Sequence, residues 1–294
     1  MWWFLRKSRL LNAFDDEGYL IVKLLGATGE RFAPAEDGGG INSLIIAQEL
    51  YWKSDIPRIC CDKWAVREFV RSRGLGDILV PLVPAEVSWE TADQIPFDDL
   101  PERFVLKCNN GSGFLRVVRD KGKEDLAALR RAAAGWLRTD FGAEGHERQY
   151  VGMRNRLFAE QFLDGGTCVV PSDYKFMCSN GRVLYAWVDS DRFAKHYRTV
   201  VDRSFNRLAV RISRHPEAEH PVLRPSNWDE MLNVAATLSR GIPIVRIDLY
   251  SVSGHVFFGE MTFTSGRANA ITRPFEFSNR MARLADPICR KESA

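Results

Sequence analysis

The sequence lacks the signatures that would assign it to several common classes of enzyme. No Cys-x-x-Cys pair and no His-Glu-x-x-His motif occurs among its 294 residues, which argues against the usual zinc sites. Neither a Gly-x-x-x-x-Gly-Lys-Ser/Thr loop nor a Gly-x-Gly-x-x-Gly turn that opens a helix is found, so the two common nucleotide fingerprints do not apply. A Gly-x-Ser-x-Gly nucleophile elbow is also absent.

The chain also lacks a large charge excess and a long apolar run. Its 41 basic and 38 acidic residues give a net charge of +3, which is too balanced to indicate a nucleic-acid partner. The apolar start is too short to span a bilayer, and Arg6 and Lys7 follow it, whereas a signal peptide places its basic residues first. We therefore expect a cytoplasmic protein. Trp2, Trp3 and Phe4 allow a peripheral membrane contact, although a packed or frayed terminus is the favoured alternative.

Cysteine is present but shows no framework of disulfides. The six cysteines have mostly apolar neighbours, which favours reduced core thiols. They are Cys60, Cys61, Cys108, Cys168, Cys178 and Cys289.

Apolar periodicity predicts a mixed α+β protein. Helical spacing is seen over 41–54, 61–74, 123–141 and 227–241. Asp62 and Asn227 stand as helix N-caps, and Gly74 and Gly241 as stops. A strand broken by prolines is predicted over 77–84. Further strands are predicted over 103–108, 114–120, 156–163, 173–191 and 243–263, with hairpin turns at Asn180-Gly181 and Ser253-Gly254.

These elements indicate two lobes, each with a mainly antiparallel sheet and packed helices, after a short helical N-terminal region. The predicted divisions are 1–60, 61–160 and 161–294. The default position for an active site would be between two such lobes.

Lys107 ends an apolar strand and is followed by a glycine-rich turn. A sheltered ammonium needs an anionic partner, and glycines at positive φ leave backbone N–H groups available to an anion. The sequence FVLKCNNGSG therefore suggests a phosphate site formed by Lys107, Gly111, Ser112 and Gly113. The alternative is a solvent-facing hairpin tip whose lysine reaches into water.

Carboxylates on the later strands suggest a metal site. Asp248 and Glu260 lie on the two arms of one predicted hairpin, and Arg246 shares a strand face with Asp248. Two neighbouring carboxylates favour a cation such as Mg²⁺, whereas an ion pair through Arg246 is the alternative. Asp173 and Lys175 also share a strand face, where a cross-strand ion pair is the simpler interpretation.

Two further segments carry functional hypotheses with plain alternatives. Glu160 ends an apolar strand, and the Gln161, Phe162 and Leu163 that follow offer backbone groups and an apolar face to a flat ring; an ordinary edge strand fits equally well. The charged stretch 187–198 contains Asp189, Asp191 and Arg192, which suggests substrate recognition, and a solvated loop is the alternative.

The ordered segments CDKWAVREFV, LPERFVLKCNNGSG, LFAEQFL, DYKFMCSNGRV, VDSDRF and RIDLYSVSGHVFFGEMTFTSG resemble the TupA-like ATP-grasp family over positions 42 to 270. That family is associated with teichuronopeptide and cell-surface polysaccharide biosynthesis. More distantly, the segments are similar to carboxylate–amine ligases of the ATP-grasp superfamily, such as D-alanine ligases and biotin carboxylases. The resemblance implies two α+β lobes that sandwich ATP.

The resemblance also implies roles for particular residues. Lys107 would contact the phosphates of ATP, under a flexible loop of Gly111, Ser112 and Gly113, and Lys63 or Arg67 would add a phosphate contact. Glu160 would accept from the adenine amino group, with backbone contacts from Gln161 and Leu163. Asp173 corresponds to the ribose-binding acid. Asp248, Glu260 and Thr262 would hold Mg²⁺, and Arg246 would face the reacting carboxylate.

The chain departs from the superfamily pattern at three places. Thr262 stands where an asparagine is usual, Asn110 stands where relatives often have histidine, and the region before Asp62 is short.

The expected function is ATP-dependent ligation of a small-molecule or glycan carboxylate to an amine through an acyl phosphate, adding an amino acid to a surface polysaccharide or its precursor. The alternatives are a glycosyltransferase that uses Asp189 and Asp191 as a metal-binding DxD motif, and a non-catalytic ATP-binding module.

Overall fold

A computed structural model describes residues 16–142, 147–165, 171–190, 196–213 and 215–286. The chain divides into two units. Unit 1 comprises Met1–Ser54, Ser172–Asp248 and Thr262–Ala294, and unit 2 comprises Asp55–Pro171 and Leu249–Met261. The proposed membrane-contacting residues Trp2, Trp3 and Phe4 lie outside the described ranges.

The helices and strands follow one another in a mixed α+β order with antiparallel sheets, as the sequence predicts. The helices are α1 (Asp16–Thr28), α2 (Ile41–Tyr51), α3 (Ile56–Cys61), α4 (Val66–Ser72), α5 (Leu126–Arg138), α6 (Trp228–Ser239) and α7 (Phe275–Leu284). The strands are β1 (Phe104–Cys108), β2 (Leu115–Val118), β3 (Leu157–Gln161), β4 (Asp173–Ser179), β5 (Arg182–Ser190), β6 (Tyr197–Val201), β7 (Arg211–Ile212), β8 (Val245–Val252), β9 (His255–Thr262) and β10 (Thr272–Arg273).

Unit 2 contains a three-stranded antiparallel sheet of order β2-β1-β3. Strand β1 is its centre, and Phe104, Leu106 and Cys108 turn to a core that includes Val118 of β2 and Leu129 of α5. Asp125 caps α5 by accepting from the backbone N–H of Ala128 at 2.8 Å. Because side chains alternate along a strand, Lys107 lies on the face opposite this core.

A five-stranded sheet has the order β6-β5-β4-β8-β9, and the division between the two units falls within β8 and β9. Antiparallel pairing of β4 with β5 sets Asp173 opposite Asp189. In unit 1, α1, α2 and α7 share a core with residues of β4 and β5, including Met177, Tyr185 and Trp187.

The predicted hairpin turns are confirmed. Asn180 and Gly181 have φ of 42° and 82°, and Ser253 and Gly254 have φ of 51° and 81°. Two consecutive residues at positive φ match the right-handed twist of the flanking strands, which is why asparagine or serine followed by glycine favours this turn.

Three local predictions are wrong in detail. Residues 77–84 do not form a strand: they begin with a turn of 3₁₀ helix (Gly76–Ile78) and contribute one bridge, Leu82 to Glu160, because Pro81 and Pro84 have no N–H for a ladder. The predicted helix over 61–74 is replaced by α3 and α4. The side chain of Asn227, which is placed at the start of α6, makes no capping hydrogen bond.

Four of the six cysteines, Cys60, Cys61, Cys108 and Cys178, are free and buried, as the sequence predicts. Cys168 and Cys289 lie outside the described residues. Within the described ranges, no helix is both long enough and apolar enough to cross a membrane.

Candidate active site

Unit 2 brings together three of the predicted phosphate-binding cations. The Lys107 cluster consists of Lys63, Arg67, Lys107 and Glu160. Lys107 Nζ lies 2.5 Å from Glu160 Oε2, and Arg67 Nη1 lies 3.4 Å from Glu160 Oε1. The register of β1 with β3 sets Val105 opposite Glu160, so Lys107 reaches the carboxylate diagonally on the same face. Glu160 thereby satisfies the ammonium that the sequence places on a sheltered strand.

Lys63 lies beside the glycine-rich turn. Its ammonium donates to the carbonyl of Gly111 and lies 3.5 Å from that of Asn110. Burial lowers the pKa of Lys63; the charge of Glu260 opposes this shift, and that of Lys107 adds to it. Glu260 therefore acts electrostatically on the Lys107 cluster within unit 2.

The turn itself is fixed at its base by two buried asparagines. Asn109 Nδ2 donates to Asp62 Oδ2 at 2.8 Å, and Asn109 Oδ1 accepts from the backbone N–H of Arg156 at 2.8 Å. Asn110 Nδ2 donates to Asn155 Oδ1 at 2.6 Å. Asn110 thus anchors the base of the turn.

The tip of the turn is open to an anion. Gly111 and Gly113 have φ of +62° and +84°, and Ser112 and Gly113 are exposed. Within the described part of the chain, the backbone N–H groups of residues 111–113 donate to no protein acceptor. Such N–H groups next to a lysine form a concave site suited to phosphate oxygens.

Asp62 helps to hold the glycine-rich turn in place, and the sequence predicts part of this role. Its Oδ1 accepts from the backbone N–H groups of Trp64 and Ala65 at 2.8 and 3.0 Å, and so caps the turn that leads into α4. Its Oδ2 binds Asn109, which joins this cap to the glycine-rich turn. The periodicity predicts the cap, whereas the contact with Asn109, 47 residues away, leaves no local signal.

Unit 1 brings together the residues predicted on the later strands. The Asp248 cluster consists of Asp173, Lys175, Arg246 and Asp248, on the neighbouring strands β4 and β8. Lys175 Nζ pairs with Asp248 and lies 3.1 Å from Asp173 Oδ2. Arg246 donates to both oxygens of Asp248, through Nε at 2.6 Å and Nη2 at 2.8 Å. The alternative interpretations therefore describe contacts that do form: a cross-strand ion pair of Lys175, here with Asp248, and an ion pair between Arg246 and Asp248.

Arg246 also reaches beyond the cluster. Its Nη1 donates to Ser265 Oγ at 3.3 Å, at the start of a turn of 3₁₀ helix, Ser265–Ala268. Gly266, Arg267 and Ala268 have φ between 54° and 60°, a left-handed conformation that costs free energy for residues with a Cβ atom. Backbone strain of this kind is concentrated at functional sites in proteins.

The donor set assigned to magnesium is chemically suitable. Asp248, Glu260 and Thr262 offer only oxygen ligands, which Mg²⁺ prefers, and it is usually held by one or two carboxylates together with substrate phosphates. Within the described residues, no group of three or more His, Cys, Asp or Glu side chains is arranged to hold a metal ion. Asp248 belongs to unit 1 and Glu260 to unit 2.

Asp189, the first acid of the DxD motif, is held by a guanidinium. Arg198 binds it through Nε at 2.7 Å and Nη2 at 2.9 Å, and the Asp189 side chain is only 2% exposed. Burial alone would raise the pKa of Asp189, but hydrogen bonds and charge from Arg198, with Lys175 and His196, lower it to about 2. Asp189 thus serves an internal ion pair, and Asp191 and Arg192 lie outside the described residues.

The remaining predicted nucleotide contacts follow β3. Gln161 is exposed at the end of that strand, and Phe162 is buried with the guanidinium of Arg103 5.4 Å from its ring centre. Leu163 comes next and is half-buried. Strand β3 is the last in the order β2-β1-β3, and its outer edge is bridged at Glu160 to Leu82 and at Leu157 to Trp89.

The chain belongs to the TupA-like ATP-grasp family, whose model matches residues 50–282. A comparison with curated proteins gives no match.

The chain is also similar to solved structures of ligases. It is 15% identical to a D-alanine–D-alanine ligase from Helicobacter pylori, with a TM-score of 0.47, over 78% of this chain and 62% of the other. It is 16% identical to an L-amino acid ligase from Bacillus licheniformis, with a TM-score of 0.41, over 90% of this chain and 55% of the other. The chain therefore spans about three fifths of the length of the Helicobacter ligase.

Proposed function

We propose that the protein is an ATP-dependent carboxylate–amine ligase. The observation that carries this proposal is the Lys107 cluster: three cations and one carboxylate beside a glycine-rich turn with available N–H groups, in a chain of the ATP-grasp family. Because ATP is the co-substrate, the proposed location is the cytoplasm.

Within each unit, the predicted residues would contact a different part of ATP. Lys107, Lys63 and Arg67 would neutralise phosphate charge, together with the N–H groups of residues 111–113. The segment from Glu160 to Leu163 would bind adenine. Asp173 would bind the ribose, and Lys175 would add a contact to the nucleotide.

The reaction forms an acyl phosphate and then an amide. A carboxylate oxygen of the substrate attacks the γ-phosphorus of ATP, the bond to the β–γ bridging oxygen breaks, and ADP leaves. The amine then attacks the acyl carbon, loses a proton and displaces inorganic phosphate. Asp248, Glu260 and Thr262 would hold magnesium, which neutralises charge on phosphoryl oxygens when it is bound.

Residues of this chain would stabilise the tetrahedral intermediate and protect the acyl phosphate from water. Arg246 would stabilise the oxyanion of the tetrahedral intermediate, supported by Asp248 and Ser265. The turn of Gly111, Ser112 and Gly113 would close over the phosphates and exclude water, which otherwise hydrolyses an acyl phosphate.

The proposed acceptor or donor is a cell-surface polysaccharide or its precursor, modified with an amino acid. The family association supports this assignment, as do exposed basic residues such as Arg203 and Arg211 in unit 1, which suit an anionic glycan. Arg198 and Arg207 of the same stretch are paired with Asp189 and Glu217.

Hydroxylamine trapping tests the reaction. The chain would be incubated with ATP, Mg²⁺, hydroxylamine and candidate carboxylates, including amino acids and uronic acids. An acyl phosphate gives a hydroxamate, and we expect hydroxamate and ADP in equal amounts for at least one carboxylate. ATP binding without hydroxamate or ADP would instead support the non-catalytic module.

Glu260→Ala tests the metal assignment in the same assay. We expect it to abolish magnesium-dependent ADP release, whereas Glu68→Ala, which removes an exposed carboxylate of unit 2, should have no effect. Full magnesium-dependent ADP release by Glu260→Ala would contradict the assignment.

A further inference from the structure

Unit 1 contains a pocket that belongs to neither cluster described above. Its volume is about 790 Å³, and it is lined by residues of the segments 28–38 and 271–275. Small-molecule sites in proteins commonly have volumes of about 300–1,000 Å³ and a few polar groups that fix the orientation of the ligand.

The wall formed by residues 28–38 is held in place by α7. Asn279 Nδ2 donates to the carbonyls of Ala35 and Gly39 at 2.9 and 2.7 Å. A Cβ atom at Gly39 would lie 1.8 Å from the carbonyl oxygen of Ala33, so this close backbone approach requires glycine. The wall is therefore preorganised rather than shaped by a ligand.

Glu30 lines this pocket and carries a buried carboxylate. The residue is 8% exposed, and its two oxygens lie 3.2 and 3.3 Å from Asn42 Nδ2. Within the described residues this neutral amide is the only hydrogen-bond partner of the carboxylate, and no cation pairs with it. Asn42 also donates to the carbonyl of Ala270 at 2.9 Å, so it is shared.

Such a carboxylate favours a cationic ligand. Burial raises the pKa of Glu30, and the hydrogen bond from Asn42 only partly offsets this. An ammonium group beside Glu30 would compensate the desolvated charge and form charge-assisted hydrogen bonds.

Arginines provide the opposite charge at the exposed side of the pocket. Arg273 lines the pocket and lies directly opposite Arg211 in the β10–β7 pair, and both are exposed. Like charges directly opposite each other destabilise a strand pair, and an anion beside them relieves this repulsion. Within the described part of the chain, neither guanidinium forms an ion pair with a carboxylate.

The charges of the lining are balanced in sign. Glu30 and Asp37 are matched by Arg31 and Arg273, and all except Glu30 are exposed. A ligand with one positive and one negative end fits this arrangement better than a simple cation or anion. Because the carboxylate is the buried member, the ammonium end would enter first.

We propose that this pocket binds a free amino acid, with its ammonium group on Glu30 and its carboxylate on Arg273. The role of that amino acid as a substrate of the ligation depends on the proposed function, whereas the binding itself does not. The segment from Ser265 to Ala270 connects the pocket to Arg246 within unit 1: Ser265 accepts from Arg246, and Ala270 accepts from Asn42.

Calorimetry with the individual standard L-amino acids tests the proposal on the full chain. We expect saturable binding of at least one amino acid and no binding of its N-acetyl derivative. The affinity of Glu30→Gln should be at least about tenfold weaker, a loss of about 1.4 kcal/mol. Arg273→Gln should also weaken binding. Glu36→Gln is the matched control: Glu36 is exposed in the same segment and does not line the pocket.

The melting temperature of Glu30→Gln distinguishes a binding role of Glu30 from a structural role. In Glu30→Gln the side chain can still accept from Asn42, and the substitution removes a desolvated charge. We therefore expect the melting temperature of Glu30→Gln at pH 7 to equal or exceed that of the native chain while amino-acid binding weakens.

The outcomes distinguish this proposal from the ligase assignment. If no amino acid binds to a native chain that still binds ATP, or if Glu30→Gln binds as tightly as the native chain, the pocket proposal is overturned and the ligase assignment stands. If an amino acid binds through Glu30 but ATP does not bind, the ligase assignment fails alone.

Discussion

The protonation state of Lys63 should depend on what is bound at the glycine-rich turn. Its ammonium is desolvated and close enough to Lys107 and Glu260 to be affected by both charges. A bound phosphate would favour the charged form, which burial disfavours. ATP affinity and the proton on Lys63 should therefore be linked.

This linkage predicts a pH dependence of ATP binding. Because burial lowers the pKa of Lys63, its proton is lost at a pH below the ordinary lysine range, and ATP affinity should fall as pH rises through that value. Calorimetric titrations across the alkaline range should show this fall in the native chain but not in Lys63→Met. Lys123→Met, which changes an exposed lysine of unit 2, should keep the native profile. An identical profile in Lys63→Met would contradict the assignment.

Arg198 and Asp189 form a buried ion pair, which should contribute to stability. Arg198→Met leaves the buried Asp189 carboxylate without its main partner, and breaking a buried pair costs about 3–5 kcal/mol. Chemical denaturation should show this loss, and adding Asp189→Asn should recover most of it. A metal-dependent stabilisation of Arg198→Met would instead favour the DxD interpretation.

Acid pH should weaken the contribution of the same ion pair to stability. Since the pKa of Asp189 is lowered to about 2, its contribution to stability is present above the ordinary aspartate range and is lost as pH falls towards 2. As pH falls from the ordinary aspartate range towards 2, the native chain should lose unfolding free energy relative to the double variant Asp189→Asn, Arg198→Met. A pH-independent difference would show that the pair is not ionised as described.

At the scale of elements, the glycine-rich turn offers a matched comparison. Gly111 and Gly113 both have positive φ, but a Cβ atom at Gly111 would lie 2.6 Å from the ring of Phe141, whereas a Cβ atom at Gly113 meets nothing within 4 Å. Gly113→Ala should cost about 1–2 kcal/mol of strain, and Gly111→Ala should cost more because the ring must also move.

Thermal unfolding and ATP titration of the two variants check this difference. We expect a lower melting temperature and weaker ATP binding for Gly111→Ala than for Gly113→Ala. Equal effects would mean that the contact with Phe141 does not shape the turn.

Elements whose residues act locally could be predicted from the sequence. Asn180-Gly181 forms its turn because both residues tolerate positive φ, and Lys107 finds a carboxylate because a strand between apolar neighbours shelters its ammonium. Residues 77–84 form no strand, although the segment is apolar, because its two prolines deny backbone donors to a ladder.

At the scale of the whole chain, the arrangement rests on contacts between distant segments. Unit 2 takes residues 249–261 from a part of the sequence that otherwise belongs to unit 1. Asn42 links Glu30, which lines the pocket of unit 1, to Ala270, and no local sequence pattern singles out Glu30. A site of this kind can be recognised only from the tertiary structure, because the sequence does not show that a buried charge is paired with a neutral group.

The most direct test of the central claim is calorimetric titration of ATP with Mg²⁺, beside UDP-glucose, into the native chain, Lys107→Ala and Lys123→Ala. Loss of a charged hydrogen bond costs about 1.5–3 kcal/mol, so Lys107→Ala should bind ATP at least about tenfold more weakly, while Lys123→Ala binds as the native chain does. UDP-glucose should not bind. ATP affinity unchanged by Lys107→Ala, or binding of UDP-glucose alone, would contradict the ligase assignment.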